Sequence, residues 1–93
     1  MESVELEIRN PSGLHARPAS VFVKTAAGFR SRVQIENLTR GTAPGDAKSI
    51  LTMLAAGVQK GHLVRITAEG EDETAAIAAL TELVRSGIGE ALE

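Results

Sequence analysis

The chain has 93 residues, no Cys, Tyr or Trp, two Phe and a formal net charge of −2 at pH 7. This length predicts one domain over residues 1–93 with an aliphatic core, and a chain without Cys has neither disulfides nor thiolate chemistry. The small negative charge and the scarcity of aromatic rings argue against nucleic-acid binding. No apolar run approaches about 18 residues, so neither a membrane span nor a signal peptide is expected, and we interpret the chain as cytoplasmic.

Alternating apolar and polar residues predict three strands, over residues 3–9, 32–36 and 63–68. Each of these strands is expected to bury one face only. Residues 39–46 contain two Gly and one Pro, which predicts an irregular loop with room for at most a short further strand.

Helical spacing predicts three helices. The first covers residues 16–27, the second begins at the N-cap residue Ser49 and ends at Gly57, and the third follows the acidic residues 71–73. The order βαββαβα predicts an α+β open-faced sandwich, with a four-stranded, mainly antiparallel sheet and three helices on one face.

The first two helices carry more apolar surface than the core can take. In the first helix, one stripe is expected to be buried and a second to face outward. The buried stripe consists of Ala19, Phe22, Val23 and Ala26, and the outer stripe of Arg17, Val21 and Lys24. The second helix is apolar on nearly every side, so some of Ile50, Leu51 and Leu54 are expected to be exposed.

His15 follows a Gly-containing turn and lies just before the predicted first helix. The free backbone N–H groups of a helix start, including that of Ala16, attract an anion. If His15 carries a phosphoryl group, these amides and the cation of Arg17 are placed to hold its oxygens. Because Arg17 precedes Pro18 and is therefore steered away from helical geometry, we expect strain at that residue.

Several catalytic features are missing from the sequence. It contains no Walker loop, no pair of metal-binding carboxylates and no second His near His15. We therefore expect no metal and no cofactor, and a chain that receives and donates phosphate without being an autonomous enzyme.

Four separated segments agree in order and spacing with the HPr family. HPr proteins are the histidine-containing phosphocarriers of the bacterial sugar phosphotransferase system, and the resemblance to them covers the whole chain. The four segments are Gly13-Leu14-His15-Ala16-Arg17-Pro18-Ala19, Lys48-Ser49-Ile50, Gly57 with Lys60-Gly61, and Ala68-Glu69-Gly70-Glu71-Asp72-Glu73. The resemblance implies that enzyme I phosphorylates His15 on Nδ1 and that the phosphate passes to IIA domains of sugar permeases. It also implies that Arg17 stabilises the phosphate and that Ser12 lies close to it.

By the same resemblance, Ser49 matches a serine that an ATP-dependent HPr kinase phosphorylates in many systems. An N-cap without any regulatory role is the alternative for this residue. A phosphate there would place about two negative charges beside the apolar residues of the second helix and weaken docking.

We expect the exposed residues of the first two helices to form a docking surface for transient partners. Its members are Val21, Lys24, Ile50, Leu51 and Leu54, together with Arg17. Core packing is the alternative for the apolar members. A monomer is expected. An alternative function is a regulatory binding module that acts through Ser49 and the apolar residues on a transcriptional regulator or an enzyme. Service in a nitrogen or dihydroxyacetone branch also stays open.

We assign no function to His62 or to the acidic segment that follows the last strand. His62, at the start of the last strand, is expected to be structural or solvated, and the acidic residues 69–73 to form a solvated helix start. The loop from Asn37 to Asp46 is about three residues longer than is usual in the family, which affects the presentation of Ser49.

Overall fold

The computed structural model describes residues 1–90. Its elements are β1 (Glu2–Glu7), α1 (Ala16–Ala27), β2 (Arg32–Asn37), β3 (Gly45–Asp46), α2 (Ile50–Ala55), β4 (Leu63–Glu69) and α3 (Glu73–Arg85). All strand pairs are antiparallel, and the spatial order in the sheet is β1-β4-β2-β3. The predicted α+β architecture and the order βαββαβα are therefore confirmed.

One face of the sheet is buried and the other is open. On the buried face, Ile66 of the central strand β4 lies opposite Ile35 of β2, and both side chains are buried. On the open face, Arg65 forms salt bridges with Glu5 at 3.0 Å and Glu36 at 3.3 Å. Exposed pairs of this kind contribute little to stability, so burial of the aliphatic face is the main force that holds the sheet.

The helices close the core from one side. α3 packs against β1 and β4, while α1 contacts both of the other helices. Phe22 of α1 is fully buried and is surrounded by an aliphatic cluster that includes Leu14, Met53 and Leu80. The core is thus aliphatic, as the composition predicts.

α1 has the predicted bounds, but its buried stripe differs at one position. Pro18, Ala19, Phe22 and Ala26 are buried, whereas Val23 is only half-buried. Consecutive helical residues point about 100° apart, so Val23 lies at the edge of the stripe that Phe22 centres, and the Pro18 ring fills the first turn. Val23 is confirmed only in part as a buried residue, since it packs against the core while half-exposed. Val21, predicted to face outward, is half-buried and packs against the core as well.

β1 ends two residues before the predicted boundary. Ile8 leaves the sheet and pairs with the turn that precedes β4: its N–H donates to the His62 carbonyl at 2.9 Å, and its carbonyl accepts from Gly61 N–H at 2.6 Å. These two hydrogen bonds therefore fix the position of Ile8, from which the chain leads to α1.

The sequence predicts that the acidic segment before α3 is only solvated, but one of its carboxylates makes hydrogen bonds within the protein. The carboxylate of Asp72 accepts hydrogen bonds from the N–H groups of Arg30 and Ser31 and from the Ser31 hydroxyl. These donors, the hydroxyl above all, lower the pKa of Asp72 from 3.8 to about 2. Asp72 thus clamps the start of α3 to the start of β2, a contact between residues 41 positions apart.

Candidate functional site

The site is built on residues 8–15, here called the site loop, which connects β1 to α1. Gly13 has φ +61°, and a Cβ at this position would lie 2.4 Å from the Val58 carbonyl oxygen. Leu14 is fully buried, and its N–H donates to that carbonyl at 3.0 Å. The loop therefore needs glycine for close approach and Leu14 as an anchor, and together they determine where the next residue lies.

That residue is His15, which is half-buried at the N-cap of α1. Its backbone is extended, with φ −123° and ψ 164°, and its side chain makes no capping hydrogen bond. The imidazole thus lies at the helix start, as predicted, without being used to cap the helix. A ring in this position remains available for chemistry with a visiting group.

Ala16 follows His15 with φ +52°, in the left-handed region that residues with a Cβ rarely adopt. This conformation costs about 1 kcal/mol or more and turns the extended chain into the helix. Strain had been predicted at Arg17, since that residue precedes Pro18, whereas the left-handed residue is one position earlier. The strain therefore lies directly beside the imidazole.

Donors converge at the start of α1. The first N–H groups of a helix have no intrahelical acceptor, and Pro18 has no N–H, so the first two N–H groups of α1 are those of Ala16 and Arg17. Ala19 N–H is directed at the His15 carbonyl at 3.5 Å. The Arg17 side chain is exposed and adds a guanidinium to the same region. The local field therefore favours an anion.

A carboxylate that the sequence analysis missed reaches this region from the far end of the described chain. Glu90 accepts hydrogen bonds from the Ser12 N–H at 3.0 Å, the Ser12 hydroxyl at 2.8 Å and the Asn10 side-chain amide at 2.9 Å. The bonds from Asn10 and Ser12, with a smaller effect of Arg17, lower the pKa of Glu90. No local pattern links positions 78 residues apart, so only the fold reveals this contact.

Ser49 is the N-cap of α2, as predicted. Its hydroxyl oxygen accepts a hydrogen bond from the Thr52 N–H at 3.3 Å, and its side chain is half-buried. α2 has six residues, of which Met53 alone is buried. A short helix with one buried residue depends strongly on its cap.

The remaining members of the predicted docking surface lie on α1 and α2, which pack against each other. Leu51 is 76% exposed, and Ile50 and Leu54 are 39% and 43% exposed, which confirms the expected exposure of this helix. On α1, Lys24 is exposed and Val21 half-buried. α2 thus presents exposed apolar side chains, and the neighbouring α1 presents the exposed cation Lys24.

Two features that residues 1–90 lack bear on other functions. No group of three or more His, Cys, Asp or Glu side chains in this part of the chain is arranged to hold a metal ion. None of the helices described is long and apolar enough to cross a membrane.

Comparison with known proteins decides the family. The model described as "PTS HPr component phosphorylation site" matches residues 2–86. The chain belongs to the HPr family. The resemblance to the HPr family that the sequence motifs indicate is therefore confirmed.

Relatives in sequence include multiphosphoryl transfer proteins. That of Salmonella typhimurium is 40% identical over 88 residues, which is 95% of this chain and 23% of the relative. That of Haemophilus influenzae is 43% identical over 83 residues, which is 89% of this chain and 17% of the relative. The chain thus spans about a quarter or less of the length of these relatives.

Solved HPr structures match along the whole chain. HPr from Thermoanaerobacter tengcongensis superposes with a TM-score of 0.92 at 44% identity, covering 99% of this chain and 100% of that one. The catabolite repression protein Crh of Bacillus subtilis, solved as a domain-swapped dimer, has a TM-score of 0.71 at 36% identity, covering 94% and 97%. Both HPr and Crh therefore share the fold of this chain.

Proposed function

We propose that the chain is a stoichiometric phosphoryl carrier that accepts phosphate on His15 from phospho-enzyme I and passes it to IIA domains of sugar permeases. The observation that carries this proposal is the half-exposed imidazole of His15 at the start of α1, not used as a cap and beside the N–H groups of Ala16 and Arg17. Membership of the HPr family supports the same role.

In the proposed step, the lone pair of His15 Nδ1 attacks the phosphorus of the donor. A nitrogen–phosphorus bond forms at Nδ1 while the bond to the donor breaks, and the donor keeps the electron pair of that bond. Charge on the phosphoryl oxygens is stabilised by the helix N–H groups and by the guanidinium of Arg17. Transfer to a IIA domain is the same exchange in the opposite direction, so the carrier returns to its starting state.

This role needs neither cofactor nor metal, because the donor supplies the activated phosphoryl group. The carrier is consumed and regenerated once per transfer and is not an autonomous enzyme. We also propose the cytoplasm as the place where the carrier acts. We also propose that the described residues belong to one functional domain.

Docking of both partners is proposed to use the exposed face of α1 and α2. Leu51, Ile50 and Leu54 would supply an apolar centre, while Val21 and the cations Arg17 and Lys24 would border it. An interface with a small apolar centre and charged rim suits brief encounters. An acidic partner surface would be drawn to the same cations.

A second proposed function is regulation through Ser49, for which the specific observation is its place as the cap of an exposed apolar helix. A kinase that phosphorylates Ser49 would place negative charge next to Ile50 and reduce docking of transfer partners. The phosphorylated form would be available to a transcriptional regulator. The structural likeness to Crh supports this alternative.

We propose a monomer as the working form, since transfer needs His15 and the docking surface free at the same time. Crh and one HPr of Thermoanaerobacter tengcongensis have been solved as dimers. Light scattering at several concentrations distinguishes the two states.

The carrier role is tested with labelled phosphoenolpyruvate and catalytic enzyme I. Wild type is expected to take up one acid-labile phosphate per chain, and His15→Ala none, with equal urea midpoints for the two proteins. Because the chain has two His, His62→Asn is the matched control and must reach the same final level of label as wild type. Label on His15→Ala at the wild-type level would refute the assignment.

A further inference from the structure

We propose that His62 is a positioning residue for phosphoryl transfer, since its ring nitrogen Nδ1 fixes the turn on which the site loop is seated. This turn, residues 57–62, is here called the supporting turn. This role rests on the proposed function of His15, and the sequence alone predicts only a structural or solvated His62. It follows from the hydrogen bonds around the ring.

The side-chain amide of Asn37 determines which His62 ring nitrogen carries the proton. Asn37 is fully buried; its Oδ1 accepts from Arg40 N–H at 3.2 Å, and its Nδ2 donates to the Ala56 carbonyl at 3.0 Å. Both partners are backbone groups with fixed roles, so the amide orientation is fixed as well. Nδ2 is then a donor toward His62 Nδ1, 3.0 Å away.

The second neighbour of the ring is also a donor. The backbone N–H of Gln59 points at His62 Nδ1 over 3.1 Å. Two donors face one ring nitrogen, so Nδ1 must be the unprotonated acceptor and the neutral ring carries its proton on Nε2. In return, His62 N–H donates to the Gln59 carbonyl at 3.0 Å, which closes the supporting turn.

The site loop rests on this turn at both of its ends. At the start of the loop, Ile8 exchanges hydrogen bonds with the His62 carbonyl and the Gly61 N–H. At the end of the loop, Leu14 N–H donates to the Val58 carbonyl. The acceptor for Leu14 N–H is therefore the carbonyl of Val58, and the next residue, Gln59, is hydrogen-bonded to the imidazole of His62.

Loss of the Nδ1 acceptor would leave the Gln59 N–H and one Asn37 N–H without a partner. The Asn37 amide is fully buried, so an unsatisfied N–H there is costly and the supporting turn would relax around it. The Gln59 N–H lies in an exposed part of the turn and would no longer be held by the ring. Leu14 would move with the turn, and His15 follows Leu14 directly. A displacement well below 1 Å is enough to slow a transfer that depends on alignment.

The test compares His62→Leu with His62→Asn, whose side-chain oxygen branches from the same γ carbon as Nδ1 and can accept in its place. With the chain as substrate of enzyme I, His62→Leu is expected to lower kcat about fivefold and to leave KM within about twofold, because the docking surface is unchanged. His62→Asn is expected to restore kcat to within about twofold of wild type. In wild type, ¹⁵N spectra are expected to show an unprotonated Nδ1 and a protonated Nε2.

Amide exchange separates this claim from the proposed function. Faster exchange of the Leu14 and Gln59 amides in His62→Leu, reversed in His62→Asn, is expected whether or not the chain is phosphorylated. If wild type takes up no phosphate label but the Leu14 and Gln59 amides still exchange faster in His62→Leu, the carrier role is refuted and the support of the site loop by His62 is confirmed. A His62→Leu protein with wild-type kcat, or a His62→Asn protein as slow as His62→Leu, would overturn the positioning role.

Discussion

Glu90 holds both the backbone N–H and the hydroxyl of Ser12 in hydrogen bonds of 3.0 and 2.8 Å. Ser12 is the residue that the family resemblance places close to the phosphate on His15. In the described structure its donors are already engaged by a carboxylate. A phosphoryl group that used them would compete with Glu90 and meet its negative charge.

Glu90→Gln is therefore expected to favour the phosphorylated form. The amide keeps the size of the side chain and one acceptor but removes the charge, so the equilibrium constant for phosphorylation by enzyme I should rise about threefold at low salt. It is measured from the labelled fraction at known ratios of phosphoenolpyruvate to pyruvate. Glu82→Gln, which removes an exposed charge from α3, controls for net charge, and equal constants for the two variants would contradict the prediction.

Gly13→Ala is expected to destabilise the protein and to disturb the site loop. The new Cβ would lie 2.4 Å from the Val58 carbonyl oxygen, and the alanine backbone would have to keep φ +61°. We expect a loss of about 2 to 4 kcal/mol in the free energy of unfolding, measured by urea titration. Gly41→Ala is the control, since Gly41 has φ +72° with no atom within 4 Å of a Cβ and should lose only about 1 kcal/mol. Equal losses would refute the close-approach argument.

Leu51→Ala is expected to weaken docking and leave stability nearly unchanged. The side chain is 76% exposed, so its truncation should alter the free energy of unfolding by less than about 0.5 kcal/mol. Loss of an apolar contact with a partner should raise KM for enzyme I about threefold or more. Leu63→Ala provides the matched control, as this leucine is exposed on the open face of the sheet. The docking assignment fails if both variants keep the wild-type KM.

Ser49→Asp is expected to raise KM for enzyme I about fivefold relative to Ser49→Asn. Ser, Asp and Asn are all good N-caps, so the three proteins should differ in unfolding free energy by less than about 0.5 kcal/mol, and the comparison isolates the charge beside the apolar helix. Ser49→Ala, by contrast, should lose about 1 kcal/mol because the Thr52 N–H loses its acceptor. Identical KM values for the Asp and Asn variants would remove charge at Ser49 as a regulatory mechanism.

Asp72 is expected to make the protein acid-sensitive. Its pKa is lowered from 3.8 to about 2 by the Ser31 hydroxyl and the N–H groups of Arg30 and Ser31. The unfolded chain therefore binds a proton at higher pH than the native one, so this stabilisation is complete above about pH 4 and is lost as the pH falls toward about 2. Asp72→Asn should show a lower urea midpoint at pH 7 and a shallower fall between about pH 4 and 2. Parallel midpoint curves for the two proteins would contradict this role.

Local patterns predicted most of the fold. Alternation over β2 and β4 and the helical spacing of α1 depend on neighbours a few residues apart. Gly28 is the C-cap of α1, as predicted, whereas the C-caps of α2 and α3 are Ala56 and Ser86, one residue before Gly57 and Gly87. The position of His15 followed from the same local logic. Its nearness to the start of a helix requires only a loop, a Pro at the first turn and the helix itself.

The contacts that support the site were not predictable in this way. Asn10 with Glu90, Ser31 with Asp72 and Asn37 with His62 join residues 80, 41 and 25 positions apart. Each is a polar pair with no periodicity to reveal it, and each depends on the finished sheet order. The left-handed conformation of Ala16 was missed for a related reason, since it resolves a mismatch between an extended His15 and the following helix.

The central claim is that the His15 imidazole is the phosphoryl acceptor, and the most direct measurement is an NMR spectrum of ¹⁵N-labelled protein with phosphoenolpyruvate and catalytic enzyme I. The account predicts a phosphorus coupling to Nδ1 of His15, together with shifts of the Ala16 and Arg17 amides as they bind the phosphoryl oxygens, and unchanged ring signals from His62. Phosphorus coupled to Nε2 of His15 or to His62, or an unaltered spectrum, would contradict it.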